Sequence, residues 1–266
     1  MSLRIYAIAY LIFLYAPIVL LPIFAFNDGT IIAFPLQGFT TQWFGELWTT
    51  KALHDAVKNS LFIAVLTALF STLLGMLTAR AGAMANFPGK GGIIGFIMLP
   101  LVLPEIIVAV SLLVMLRQVL DMSLSNWTVI AAHTLMCTPF SVAILNGAFQ
   151  SLDPAMEEAA MDLGENRWSA FRLVILPLVM PGIISSMLIA FTISLDEFII
   201  AFFLTGANPT MPVYIWGLLR FPAKLPVVMA LGTILVTLSI ILLSTAEYFR
   251  RRGLRRAGIK DPGGFI

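Results

Sequence analysis

Six long apolar runs punctuated by short polar stretches organise the chain, at 5–26, 56–79, 92–116, 127–149, 178–204 and 225–249. Each is close to the roughly 20 residues a helix needs to cross the hydrocarbon core of a bilayer. Backbone polar groups in lipid must satisfy one another, so helices are the expected form of these runs. No stretch shows the short apolar–polar alternation of an outer-membrane barrel strand. The first run is longer than a signal-peptide core and no A-x-A site follows it, so it is expected to stay attached. The pattern predicts an all-α integral membrane protein with six transmembrane helices.

Composition agrees. Hydrophobic residues make up 59% of the 266 and charged residues 11%, against roughly a quarter charged in an ordinary soluble domain. Mean hydropathy is +0.96. A net charge of +2 is too small to point to nucleic acid. The basic residues gather instead after the last run, in Arg250, Arg251, Arg252, Arg255, Arg256 and Lys260, as in a juxtamembrane anchor. With the N-terminus inside, the inner segments hold these six and Arg4, Arg80, Lys90, Arg167 and Arg172. The outer segments hold Lys51, Lys58, Arg117, Arg220 and Lys224. The positive-inside rule therefore places both termini in the cytoplasm.

Little chemistry of other kinds is written in the chain. One cysteine, Cys137, excludes an intramolecular disulfide, and His54 and His133 have no metal-ligand spacing. His133, in an apolar run, reads as a hydrogen-bonded packing residue. Prolines interrupt several spans, at Pro17, Pro22, Pro100, Pro104, Pro139, Pro177 and Pro181. Such kinks survive in lipid where neighbouring helices or water re-satisfy the freed carbonyls. The outer stretch 27–55 carries Trp43 and Trp48, which suit a short helix at the membrane interface or a docking surface.

The longest inner connection, about 150–177, has strong helix punctuation. Asp153 can cap free N–H groups, Pro154 suits the first helical position, and Glu157 and Glu158 face the positive end of the helix dipole. Gly164 can take the left-handed conformation that stops a helix. A second short helix is predicted from about Asn166 to Pro177. Ala159 and Ala160 offer a small-residue face. Any helix-turn-helix connection could be built this way.

Glu158-Ala159-Ala160, three residues, Gly164, nine residues, Val174, then Leu176-Pro177 resembles the EAA loop of binding-protein-dependent ABC importer permeases, with Val174 where isoleucine is usual. The resemblance implies a type I ABC importer permease fold, with the whole of 1–266 as one transmembrane domain and a basic tail at 250–266. It makes the loop a coupling helix seated on a cytoplasmic ATPase, with Glu158, Ala159, Ala160 and Gly164 as its coupling residues. The similarity extends to Leu14-Tyr15-Ala16-Pro17, to Phe39-Thr40-Thr41-Gln42-Trp43-Phe44, and to Ser194-Leu195-Asp196-Glu197 through Thr205-Gly206. These look like the second permease of the spermidine/putrescine branch, which often has Asp-Asp where this chain has Asp196-Glu197. Relatives of that branch can carry other small amines or zwitterions.

The partners implied are an ATPase dimer that binds ATP and Mg, a second homologous permease, a periplasmic solute-binding protein and a small cationic solute. The location implied is the bacterial inner membrane. No cofactor is expected on this chain. It lacks a phosphate-binding G-x-x-x-x-G-K-[ST], since Gly89-Lys90-Gly91 has neither the upstream glycine nor the hydroxyl residue. Too little chain lies outside the membrane to house an ATPase, so energy must come from another polypeptide.

Asp196, Glu197 and Glu105 are carboxylates set well inside the spans. Asp196 and Glu197 lie roughly 14 Å, and Glu105 roughly 18 Å, from the outer helix ends at 1.5 Å per residue. An acidic group at mid-bilayer costs on the order of 3 kcal/mol. Lining a solute path is one role for such groups, because carboxylates offset the dehydration of ammonium groups. Capping broken backbone or pairing with a basic residue of another subunit is the other. Adjacent helix positions diverge by about 100°, so Asp196 and Glu197 cannot both face one narrow lumen. A proton-coupled secondary transporter would leave the EAA loop unexplained, and an intramembrane enzyme would need a nucleophile–base or metal constellation that is not visible.

Overall fold

The computed structural model describes residues 2–84, 88–153 and 155–256, with side chains assigned outside 2, 84, 242–243 and 245–256. Pro154 and Lys260 lie outside the described residues, as do the side chains of Arg250, Arg251, Arg252, Arg255 and Arg256. In chain order the helices are α1 (Ser2–Ala25), α2 (Gln42–Thr49), α3 (Lys51–Met84), α4 (Lys90–Met98), α5 (Glu105–Val114), α6 (Asn126–Gln150), α7 (Ala155–Asp162), α8 (Arg167–Ala170), α9 (Leu176–Asp196), α10 (Ile199–Leu204), α11 (Met211–Leu218) and α12 (Leu225–Arg256). Among the described residues, five helices are long and apolar enough to cross a membrane, and one bent pair, taken as a single span, makes six.

Two of the six predicted spans are broken. The run at 92–116 forms α4 with a 3₁₀ turn, Leu99–Leu101, and then α5, the two parts bent by 99°. Pro100 and Pro104 supply the cause, because neither can donate to a helical ladder. The run at 178–204 divides between α9 and α10, at Glu197 and Phe198, where Glu197 has extended backbone. No proline stands at this second break. By contrast, the predicted end at Pro177 is absent. α8 continues through a π turn, Phe171–Ile175, into α9, and the wider turn admits the proline without ending the helix.

Residues 1–51 and 215–266 form one compact unit. Here α12 packs against α1 and α2. The expectation for the two tryptophans divides: Trp43 is buried and its indole N–H donates to the carbonyl of Asn27 at 2.8 Å, whereas Trp48 is exposed. Trp43 therefore anchors the connection to α1 rather than facing an interface. A side-chain bond from Lys224 to Glu46 ties α2 to the start of α12.

Residues 52–214 form the other unit, built around α6. Ile63 of α3, Val108 and Ala109 of α5, Val129, Ile130, Ala132 and Met136 of α6, and Ile200, Ala201 and Leu204 of α10 share one buried cluster. A second cluster joins Ala79, Leu145, Phe149, Phe171, Ile175 and Val179. Small residues let the backbones meet closely, as membrane helices require. A β-carbon on Gly75 would lie 2.5 Å from Cβ of Ser141, and one on Gly182 would lie 2.7 Å from Cβ of Ala148.

Candidate functional site

The α9–α10 break separates two neighbouring carboxylates. Asp196, the last residue of α9, is exposed. Glu197 turns inward, its side chain only 8% exposed. Its Oε1 accepts from the backbone N–H of Ile200 at 2.9 Å and its Oε2 from that of Ala201 at 3.0 Å. These are N–H groups that the first turn of α10 would otherwise leave unpaired. Oε2 also lies 3.1 Å from Nε2 of the buried His133. His133 Nδ1 is 2.8 Å from the hydroxyl of Ser194. A carboxylate only accepts, so the ring is assigned its proton on Nε2, and its Nδ1 accepts a hydrogen bond from the Ser194 hydroxyl. His133 is thus a hydrogen-bonded packing residue whose partners come from the next span.

Glu105 is exposed at the first turn of α5, directly after the other break. Of the three carboxylates, then, Asp196 and Glu105 face out of this chain, each beside a break, and Glu197 is consumed inside it. Structural capping falls to Glu197, and at the α9–α10 break rather than near Pro100 and Pro104.

Asp153, Gly164 and Asn166 act in the 150–177 connection as their positions predict. Asp153 Oδ1 accepts from the N–H of Ala155 at 3.0 Å and starts α7. Gly164 has φ of +91°. The N–H of Gly164 donates to Met161 O and that of Glu165 to Ala160 O, at 2.9 and 3.2 Å, the two bonds of a Schellman stop. Asn166 caps α8 through the N–H of Ser169 at 2.9 Å. Glu158, Ala159 and Gly164 are exposed, but Ala160 is buried. Of the two alanines, Ala159 is open at the surface and Ala160 packs into its own chain.

Exposed apolar side chains lie in the same connection: Met156, Leu163 and Trp168, with Leu163 87% exposed. Water does not favour such groups in the open, and all three belong to a connection rich in charged residues. The sequence reading passed over these three, although their place in a polar connection was the available signal. Beneath α7, a cavity of about 730 Å³ is lined by Arg80, Phe149, Asp153, Glu157 and Arg167 among others.

The family described as "Binding-protein-dependent transport system inner membrane component" matches residues 71–254. The chain belongs to this family. The permease is 35% identical, over 90% of both chains, to the spermidine/putrescine transport system permease protein PotC of Escherichia coli K12. It is 34% identical, over 92% of both, to the putrescine transport system permease protein PotI of the same strain. Among solved structures, it resembles a chain of the bacterial alginate ABC transporter in complex with an alginate pentasaccharide-bound periplasmic protein. That match has a TM-score of 0.73 and 21% identity, and covers 94% of the permease and 93% of that chain. The fold is accordingly that of a type I ABC importer permease, and the protein is a transport subunit of a binding-protein-dependent importer, in which ATP hydrolysis belongs to separate subunits.

Proposed function

We propose that this permease carries a small organic cation, a polyamine such as putrescine or spermidine, inward across the bacterial inner membrane. The observation that carries the reading is the exposure of Asp196 and Glu105 beside the two breaks in the spans. A carboxylate facing lipid costs on the order of 3 kcal/mol, so these two face a wet path between this chain and a second permease. There they replace part of the hydration shell of passing ammonium groups through charge-assisted hydrogen bonds. The likeness to PotC and PotI supports the same solute class.

In this reading 1–266 is one transmembrane domain with both termini in the cytoplasm, and a periplasmic binding protein delivers the solute at the opposite side. A cytoplasmic ATPase dimer, which binds ATP and Mg, seats on Glu158, Ala159 and Gly164, with Met156 and Leu163 beside them. Ala160 and Glu197 serve from within, the first by holding α7 and the second by holding α10. Hydrolysis biases the spans between outward- and inward-open arrangements, because the ATPase contacts differ in the two. Co-purification tests the assembly: a tagged chain brings down an ATPase and a second permease, and recovery of a homogeneous, active chain with neither overturns the reading.

A further inference from the structure

Helix α3 runs unbroken for 34 residues, about 51 Å at 1.5 Å per residue. Near its start it is tied to the segments at 126 and 207–211. Asn59 Nδ2 donates to the carbonyl of Asn208 at 2.6 Å, Asn126 bonds to Asn59, and Ser60 Oγ accepts from the N–H of Met211 at 2.7 Å. A polar cavity of about 430 Å³ opens there, lined by Asp55, Lys58, Asn59, Asn126 and Tyr214 among others. Midway, α3 is wedged against its neighbours by the Gly75–Ser141 approach and by a Thr72–Ser186 hydroxyl bond of 3.1 Å.

At the far end, about 32 Å from Asn59 along the helix, a single side chain grips both halves of the loop. Arg80 Nη2 lies 3.2 Å from Oε1 of Glu157 on α7. Its guanidinium carbon stands 4.1 Å from the centre of the Phe171 ring, in the π turn that follows α8. The paired side chains are 22% and 13% exposed, respectively. The planar guanidinium can lie flat on a ring and still present an N–H to a carboxylate at its edge, a geometry the point charge of a lysine does not share. Ala79, the preceding residue, is buried beside Phe171, Ile175, Leu145 and Phe149. Glu157 is thereby held inward while its neighbour Glu158 stays exposed.

We infer that Arg80 is the positioning residue that fixes the loop that seats the ATPase to α3, so that the loop follows that helix. The inference rests on the reading of that loop as the ATPase seat. α3 is a continuous helix tied to its neighbours near Asn59, and at its other end Arg80 holds α7 by an ion pair and the π turn by a stacked ring. Arg80 touches neither solute nor nucleotide and acts through Glu157 and Phe171.

The test uses the complete transporter in proteoliposomes, with the purified binding protein plus putrescine as the probe. Two readouts are taken: stimulation of ATP hydrolysis over the basal rate, and cross-linking of Ala159→Cys to the ATPase. Arg80→Gln and Glu157→Gln are expected to keep basal hydrolysis and the cross-link, while stimulation falls about fivefold or more, the size of an ordinary coupling energy. The exchange Arg80→Glu with Glu157→Arg is expected to recover at least about half of it. Wild-type stimulation in both single variants, with the cross-link present, overturns the role of Arg80 and leaves the loop reading standing. Loss of the cross-link in a chain altered only at Ala159 overturns the loop reading and the inference with it. If Arg80→Gln fails to assemble, Glu157→Gln carries the same two outcomes.

Discussion

Glu197 lies 3.1 Å from His133 across two spans, and Asp196, one residue earlier, has turned away to the exposed side of the chain. The same division recurs on the loop, where Glu157 pairs with Arg80 and Glu158 is exposed. In each acidic pair one member builds the structure and the other is free to meet something outside it. The two members should therefore fail differently when changed.

Asp196→Asn removes the charge and keeps the shape. Uptake of a cationic solute should fall about tenfold or more, equivalent to at least about 1.4 kcal/mol in the limiting step. The yield of assembled complex and the affinity of the binding protein should not change. Labelled-solute uptake, normalised to complex in the same membranes, measures it; normal uptake returns Asp196 to a structural role.

His133→Ala leaves the Glu197 carboxylate without its buried partner, a loss of about 1–3 kcal/mol. The purified complex should unfold at a lower temperature and assemble in smaller yield, while each assembled complex transports at close to the wild-type rate. Unchanged thermal unfolding would show that the contact contributes nothing to the α9–α10 break.

Much of this was legible in advance, and the divide follows range. The six spans, the Asp153 cap and the Gly164 stop depend on residues within a turn or two of one another, so the local pattern contains them. That Asp196 and Glu197 point apart was legible too, although a break at Glu197 rather than helical rotation separates them, and which of them faces inward was not legible. That choice is made by His133, 64 residues away in the chain. The second break has no proline to announce it, and arises where Glu197 caps the start of α10. Likewise the Arg80–Glu157 pair joins residues 77 positions apart, beyond any periodicity.

Gly164 has φ of +91° and nothing within 4 Å of where a β-carbon would stand. The cost of Gly164→Val is thus purely conformational, roughly 1 kcal/mol or more, and it falls on the stop between α7 and α8. Membrane insertion should be intact and transport or ATPase docking reduced, with Gly164→Asn milder because asparagine tolerates the left-handed region. Glu158→Lys should weaken docking without any backbone strain. Wild-type transport in both Gly164→Val and Glu158→Lys would remove the loop from the coupling role.

Gly75→Ala sets a methyl group 2.5 Å from Cβ and 2.9 Å from the backbone carbon of Ser141. Forcing α3 from α6 should destabilise the chain by about 1–3 kcal/mol. Gly95→Ala in α4 meets nothing within 4 Å and should be neutral or slightly stabilising. Denaturant unfolding of the two purified variants compares them directly, and equal stability would show that the close approach is not tight.

Uptake by the reconstituted complex decides whether this chain is the membrane path of an ATP-driven polyamine importer. Proteoliposomes holding the permease pair and the ATPase, with the binding protein and labelled putrescine outside, are compared with and without enclosed MgATP. A proton ionophore is added to a parallel set. Putrescine accumulation should require enclosed MgATP and be indifferent to the ionophore. Accumulation without ATP that collapses with the ionophore would contradict the account.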